Sequence, residues 1–199
     1  MNDERLASQL DFIKLADHLK SVTRRNYLAG GERLENSAEH SWHIALMANV
    51  LSEYSNANVD LTRVTFMLLV HDLVEVEAGD AYAYDDQAQS ERKRKEERAA
   101  KVVFGKLPRD QGERFRLLWE EFEAAKTGEA LFAKAVDHFL PVLQNYSSRG
   151  KSWIENGLTK EQVLQYNACV RNGSEKLWHL VVEMVEEGSR LGWLRKPSK

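Results

Sequence analysis

The sequence predicts an all-α fold, a helical bundle that forms a single domain. Apolar residues recur at intervals of three and four along nearly the whole chain, which is the period of amphipathic helices. Strand-like alternation is missing from the pattern, and only 3 prolines interrupt 199 residues. Because neither a repeat nor a change in composition divides the chain, we expect residues 1–199 to form one domain.

Two helices are predicted near the start of the chain. Apolar residues at helical spacing predict the first, over residues 4–20. Asn36 and Glu39 match a capping box, so we expect the second helix over about 37–54. The apolar face of this second helix passes through His40, which should therefore point inward.

A third helix is expected after Asp60, which can cap its first turn. Helical spacing places His71 and Glu75 on the same face as the apolar residues that precede them. Gly79 and Asp80 mark a turn beyond this helix.

Five further helices are predicted in the rest of the chain. Asp110 and Thr159 are expected to cap two of them, and Pro141 should kink or divide the one that carries Asp137. The predicted ranges are 89–104, 112–125, 129–146, 160–171 and 174–190.

The bulk composition excludes several classes of function. A net charge of −3 and a pI near 6.1 give no electrostatic basis for a nucleic-acid partner. Cys169 is the single cysteine, which excludes an internal disulfide and a cysteine-based zinc site. Apolar runs too short for a membrane span and a charged N-terminal segment predict a cytoplasmic protein without a membrane partner.

Four polar residues indicate a metal site, because each lies in an apolar helical stretch where an unpaired polar group is costly. Imidazole nitrogens and carboxylate oxygens are suitable ligands for a divalent cation. Two separate His–Asp hydrogen bonds inside the core are the alternative, whereas a shared metal explains all the positions at once. The four residues are His40, His71, Asp72 and Asp137.

Three segments together resemble the HD-domain phosphohydrolase superfamily, and more closely its small branch that includes the 5′-deoxynucleotidases. They are NSAEHSWHIALMA (36–48), LLVHDLVEVEAGD (68–80) and KAVDHFLPVLQNY (134–146). The resemblance implies an HD-type helical bundle with a metal-binding core over about 10–146, followed by C-terminal helices over 159–194. It also implies that one divalent metal is held by His40, His71, Asp72 and Asp137.

The same resemblance gives roles to two acidic residues. The essential glutamate of the HDxxE pattern falls on Glu75, four residues after His71 and three after Asp72. A carboxylate there can orient or deprotonate the attacking water. The aspartate of a Gly-Asp turn falls on Asp80, which either takes part in catalysis or shapes the loop.

The histidine spacing favours a mononuclear centre. No histidine occurs between His71 and His138, whereas HD enzymes with two metals take additional histidines from that region. Two histidines with two carboxylates suit Mn²⁺, Co²⁺, Fe²⁺, Ni²⁺ or Zn²⁺.

Arg24 and Arg25 are the candidate phosphate-binding residues, since arginine is the best bidentate partner of a phosphate group. The nucleotidase branch has an arginine in this segment, and either residue can match it. The tryptophan that follows in that branch has no clear counterpart here. The alternative is that the two arginines simply form a dibasic turn exposed to solvent.

The predicted function is that of a metal-dependent phosphomonoesterase, which hydrolyses (deoxy)nucleoside 5′-monophosphates to nucleoside and phosphate. A pyrophosphohydrolase or phosphodiesterase acting on a signalling nucleotide is one alternative, and a non-catalytic, metal-stabilised binding module is another. The expected partners are a small nucleotide and a second copy of the chain, since family members often form homodimers. Trp178 and Trp193 are candidate contacts for that dimer.

Overall fold

The structure is a computed structural model that describes residues 3–79 and 89–196. It is predominantly helical, which confirms the predicted all-α class. Short 3₁₀ turns cover His18–Ser21, Ser52–Tyr54 and His71–Val74. The helices are α1 (Glu4–Asp17), α2 (Ser37–Val50), α3 (Leu61–Val70), α4 (Glu75–Ala78), α5 (Gln89–Phe104), α6 (Arg109–Ala124), α7 (Gly128–Ser147), α8 (Lys151–Glu155), α9 (Lys160–Tyr166), α10 (Val170–Gly173) and α11 (Glu175–Arg190).

Most of the predicted helix starts are confirmed by side-chain caps. Both capping boxes are formed, with Asn36 opening α2 and Thr159 opening α9. The predicted cap at Asp110 is wrong, because α6 has already begun after Pro108. The Asp110 carboxylate instead accepts two hydrogen bonds from Arg5 on α1, each 2.8 Å long.

The positions at which helices are interrupted also differ from the prediction. Pro141 does not divide its helix, since α7 runs through it as one element. The predicted helix over 160–171 is wrong, because a turn at residues 167–169 separates α9 from α10. There the Asn167 side chain donates to the carbonyl of Val163 at 2.8 Å and competes with the helical backbone hydrogen bonds.

A small antiparallel ribbon that the apolar pattern does not predict precedes α2. It pairs β1 (Thr23–Tyr27) with β2 (Leu34–Asn36) and has an irregular register. The strands are short, and the fully buried residue of β2 is a glutamate, so alternating hydrophobicity is not available as a signal.

Helix α7 lies at the centre of the bundle and packs against α2, α3, α6, α10 and α11. Its inner face includes Phe132, Val136 and Leu140, which are almost completely buried. Because α2 and α3 also pack against each other, polar residues on the inner faces of α2, α3 and α7 are brought to one place. Among the described helices we find none with the length and apolar character required to cross a membrane.

Candidate metal centre

The four predicted ligands lie together where α2, the turn after α3, and α7 meet. Ligand atoms of His40, His71 and Asp72 are all within 4.8 Å of one another, and all three residues are buried. Asp137 Oδ1 lies 2.9 Å from Nε2 of His40 and 3.8 Å from Nε2 of His71. Two imidazoles and two carboxylates therefore surround one small volume.

The orientation of His71 fits a bound cation. Its Nδ1 lies 2.8 Å from the carbonyl oxygen of Leu68, and because a carbonyl can only accept, Nδ1 carries a proton. Nε2 faces Asp72 Oδ1 at 3.0 Å but makes no hydrogen bond of normal geometry with any described residue. A nitrogen lone pair that faces a carboxylate is repelled unless a proton or a cation lies between them, so this donor set fits a divalent metal.

The cluster also shifts the pKa values of its members. Burial acts to lower the pKa of His71, but the charges of Asp72 and Asp137 raise it to about 9. Burial acts to raise the pKa of Asp72, whereas His71 and Arg24 lower it to about 2. Burial likewise opposes ionisation of Asp137, but the hydrogen bond from His40 and the charge of His71 hold its pKa well below its usual range. Both carboxylates are therefore ionised at neutral pH.

Glu75 follows a 3₁₀ turn, whereas the sequence predicts a continuous α-helix up to this residue. A 3₁₀ turn has 3.0 residues per turn, so Glu75 shares its direction with Asp72, three residues earlier, more than with His71. Glu75 Oε2 accepts a 2.6 Å hydrogen bond from Oγ of Ser37, a fully buried residue in the first turn of α2. This bond ties the glutamate to the helix that carries His40.

The structure separates the two candidate arginines. Arg24 on β1 donates from Nη1 to Asp72 Oδ2 at 2.9 Å, and its side chain is only 14% exposed. Arg25 is exposed, as expected for the next residue on a strand, where successive side chains point to opposite faces. Of the pair, Arg24 is the one that lies against the cluster. Asp80, the second candidate catalytic residue, lies outside the described residues.

Glu35 is a residue of this site that no sequence pattern indicates. It is the central residue of β2 and is 1% exposed. Its Oε1 accepts a 2.6 Å hydrogen bond from Nε2 of Gln144, and its Oε2 lies 3.3 Å from Nδ1 of His40. A three-residue strand has too few positions to show periodicity, so only its place just before the capping box at Asn36 could have drawn attention to it.

Comparison with known proteins agrees with this geometry. The model of the HD domain family matches residues 16–178. The chain belongs to the HD domain family. The sequence resemblance is thereby confirmed, and the family together with the His/Asp cluster of this HD domain protein indicates a divalent metal.

Relatives of this HD domain protein include named nucleotidases. The human 5′-deoxynucleotidase HDDC2 is 34% identical over 138 residues, which cover 69% of this chain and 66% of that protein. The 5′-deoxynucleotidase HDDC2 of Xenopus laevis is 36% identical over 138 residues, covering 69% and 67%. The match therefore spans about two thirds of the length of each of these curated relatives.

A solved structure matches nearly the whole HD domain protein. It is the crystal structure of a predicted metal-dependent phosphohydrolase from Magnetospirillum magnetotacticum MS-1, which is 40% identical to this chain. The TM-score is 0.91, and the match covers 98% of this chain and 100% of that one.

Proposed function

We propose that this protein is a metal-dependent phosphomonoesterase that hydrolyses (deoxy)nucleoside 5′-monophosphates to a nucleoside and orthophosphate. The proposal rests on the geometry of the site, where two histidines and two ionised carboxylates lie close together with an arginine beside them. The names of the curated relatives supply the nucleotide as the substrate class.

In this proposal one divalent ion is held by His40, His71, Asp72 and Asp137. Such an ion would supply positive charge that polarises a phosphoryl oxygen and lowers the pKa of a water molecule. The ligand set suits Mn²⁺, Co²⁺, Fe²⁺, Ni²⁺ or Zn²⁺. The lack of a histidine between His71 and His138 supports a single ion.

The protein's own groups then carry out the displacement. Glu75, oriented by Ser37, accepts a proton from the attacking water, whose oxygen forms the new bond to phosphorus. Arg24 stabilises the negative charge of the phosphoryl oxygens as the bond from phosphorus to the 5′-oxygen breaks. Asp80 is proposed to hold the sugar or to assist the departing 5′-oxygen.

We further propose that residues 1–199 act as one domain in a cytoplasmic homodimer. Trp178 is only 8% exposed, and the Trp193 ring packs against Tyr146 with 5.9 Å between the centroids. Trp178 is thus largely withdrawn from the surface, whereas Trp193 is only partly buried and remains the candidate contact of the two. Light scattering of the purified protein measures the number of copies directly.

The function is tested by phosphate release from a panel of deoxy- and ribonucleoside 5′-monophosphates, using metal-stripped protein with Mn²⁺, Co²⁺ or Zn²⁺ added back. We expect turnover to require metal and to fall by about 10²-fold or more in Glu75→Gln, since general base catalysis typically contributes that much. Glu77→Gln is the matched control, because Glu77 lies two residues along α4 and is exposed.

The products distinguish the alternatives. Pyrophosphate, or cleavage of a diester without free phosphate, would replace the proposal with a pyrophosphohydrolase or a phosphodiesterase. Metal that raises the melting temperature without any turnover, with Glu75→Gln behaving as the wild type, would identify a binding module instead.

A further inference from the structure

Glu35 is a carboxylate in a position that is costly unless the surrounding groups compensate for its charge. It is 1% exposed, and burial of an unpaired carboxylate is strongly unfavourable. Three groups from three different elements surround it, and two of them belong to the proposed active site. This placement suggests more than a role in packing.

One carboxylate oxygen of Glu35 is held by the bundle. Gln144 of α7, itself 2% exposed, donates to Oε1 at 2.6 Å. Glu35 also directly precedes Asn36, which caps α2. The carboxylate is therefore fixed between the ribbon and the central helix, with Oε2 left to face the site.

The other oxygen, Oε2, faces a proposed metal ligand. It lies 3.3 Å from Nδ1 of His40, and neither atom makes a hydrogen bond of normal geometry with any residue in 3–79 or 89–196. Nε2 of His40 is the nitrogen that faces Asp137 and the remaining ligands. A histidine that binds a metal through Nε2 must carry its proton on Nδ1, and Glu35 Oε2 is the acceptor placed to receive that proton's hydrogen bond.

Glu35 also lies beside the proposed phosphate-binding residue. Its Oε2 is 3.8 Å from Nε of Arg24, whose Nη1 donates to Asp72 Oδ2. A single buried carboxylate thus adjoins a ligand histidine on one side and the guanidinium group on the other. The negative charge of Glu35 attracts the Arg24 guanidinium and favours its position beside Asp72.

We propose that Glu35 is a positioning residue of the metal centre: it holds His40 in the tautomer that presents Nε2 to the metal and orients Arg24 toward the phosphate. The inference rests on the proposed function, because it takes His40 as a metal ligand. Under the competing explanation, Glu35 only anchors β2 to α7 through Gln144.

Metal affinity without substrate tests the inference. Metal-stripped wild type, Glu35→Gln and Glu35→Asp are titrated with Mn²⁺ and Zn²⁺ by calorimetry, and the melting temperature of each stripped protein is recorded. Loss of a partner that orients a ligand histidine typically weakens metal binding by about 10–100-fold, and we expect this from both variants. The aspartate keeps the charge but is shorter, so its carboxylate withdraws from His40.

Two further measurements separate positioning from charge and from packing. Glu39→Gln removes a carboxylate four residues away while keeping a residue that can complete the capping box, so its metal affinity should equal that of the wild type. In ¹⁵N spectra of the zinc-loaded wild type, the imidazole signals of His40 should show a protonated Nδ1, and these signals should shift in Glu35→Gln.

The outcomes are distinct. Unchanged affinity in Glu35→Gln, or a loss in Glu35→Gln that Glu35→Asp does not share, would overturn the positioning role while leaving the phosphomonoesterase intact. Weakened affinity in both variants with no phosphate release from any substrate would support Glu35 and refute the enzyme. A wild type that binds neither ion would overturn the inference together with the metal centre.

Discussion

Replacing Arg24 by methionine should destabilise the metal-free protein strongly, because the guanidinium group is a buried cationic partner of Asp72. The two side chains are 14% and 12% exposed and are joined by a 2.9 Å bond. Removing one member of a buried ion pair typically costs about 3–5 kcal/mol. In a chain of this size each kcal/mol corresponds to about 2–4 °C, so the melting temperature should fall by about 6–20 °C.

Metal should reverse this loss of stability without restoring activity. A bound divalent cation neutralises the same carboxylates, and removal of a neighbouring positive charge strengthens its binding. Addition of Mn²⁺ should therefore raise the melting temperature of Arg24→Met by more than it raises that of the wild type. The kcat/KM for a nucleoside monophosphate should remain lower by about 10–150-fold, since a hydrogen bond to a charged group contributes about 1.5–3 kcal/mol.

Arg25→Met is the matched control, because it makes the same chemical change at the next residue, on the exposed face of β1. Differential scanning fluorimetry with and without Mn²⁺, together with steady-state kinetics, measures both effects. Equal melting temperatures for the two variants would refute the buried-pair argument. A kcat/KM in Arg24→Met equal to that of the wild type would refute the phosphate-binding role.

Three further predictions follow from individual contacts. Folding raises the pKa of His71 from 6.5 to about 9. The stability that its protonation contributes is therefore complete below about pH 6.5 and is lost as the pH rises through about 9. The melting temperature of the metal-stripped protein should fall over this window, whereas that of the zinc-loaded protein should not. Ser37→Ala should lower kcat about tenfold or more with unchanged Mn²⁺ affinity, because it removes the 2.6 Å hydrogen bond to Glu75. Gly150→Ala should lower the melting temperature without changing kcat, because its φ is +71° and a Cβ there would lie 2.4 Å from Cβ of Trp193.

Each of the two substitutions has a control on the same chain. Ser41→Ala removes a buried hydroxyl one turn further along α2 that has no partner among the described residues, so kcat should not change. Gly157→Ala keeps the positive φ of +58° but meets nothing within 4 Å, so it should cost less stability than Gly150→Ala. Equal effects within either pair would contradict the contact on which that prediction rests.

Burial of the histidines could be predicted from the sequence because it depends on helical period. His40 continues an apolar stripe on α2 and is completely buried, as that position implies. The side chains that sit against these histidines depend on how separate elements pack. Glu35 is buried because the ribbon folds against α7, and no local pattern around a lone glutamate records this contact.

The turn that carries His71 and Asp72 shows a second limit. An apolar run with helical spacing reads the same whether the backbone continues as an α-helix or tightens into a 3₁₀ turn. The 3₁₀ turn rotates the Glu75 side chain relative to His71. Glu75 then accepts a hydrogen bond from Ser37, which lies 38 positions earlier in the chain. Such local tightening is decided by tertiary contacts, which the sequence pattern does not contain.

The proposed ligands come from distant parts of the chain, since His40 and Asp137 are 97 positions apart. A shared ion would therefore act as a cross-link in a chain that has one cysteine, but one that exists only while the chain is folded. Its contribution would depend on supply, reaching about 2.7 kcal/mol when free metal is 100-fold above its Kd. The effect of a destabilising substitution would then depend on the metal concentration in the cell. The same substitution would be harmless when metal is abundant and would unfold the protein when metal is scarce.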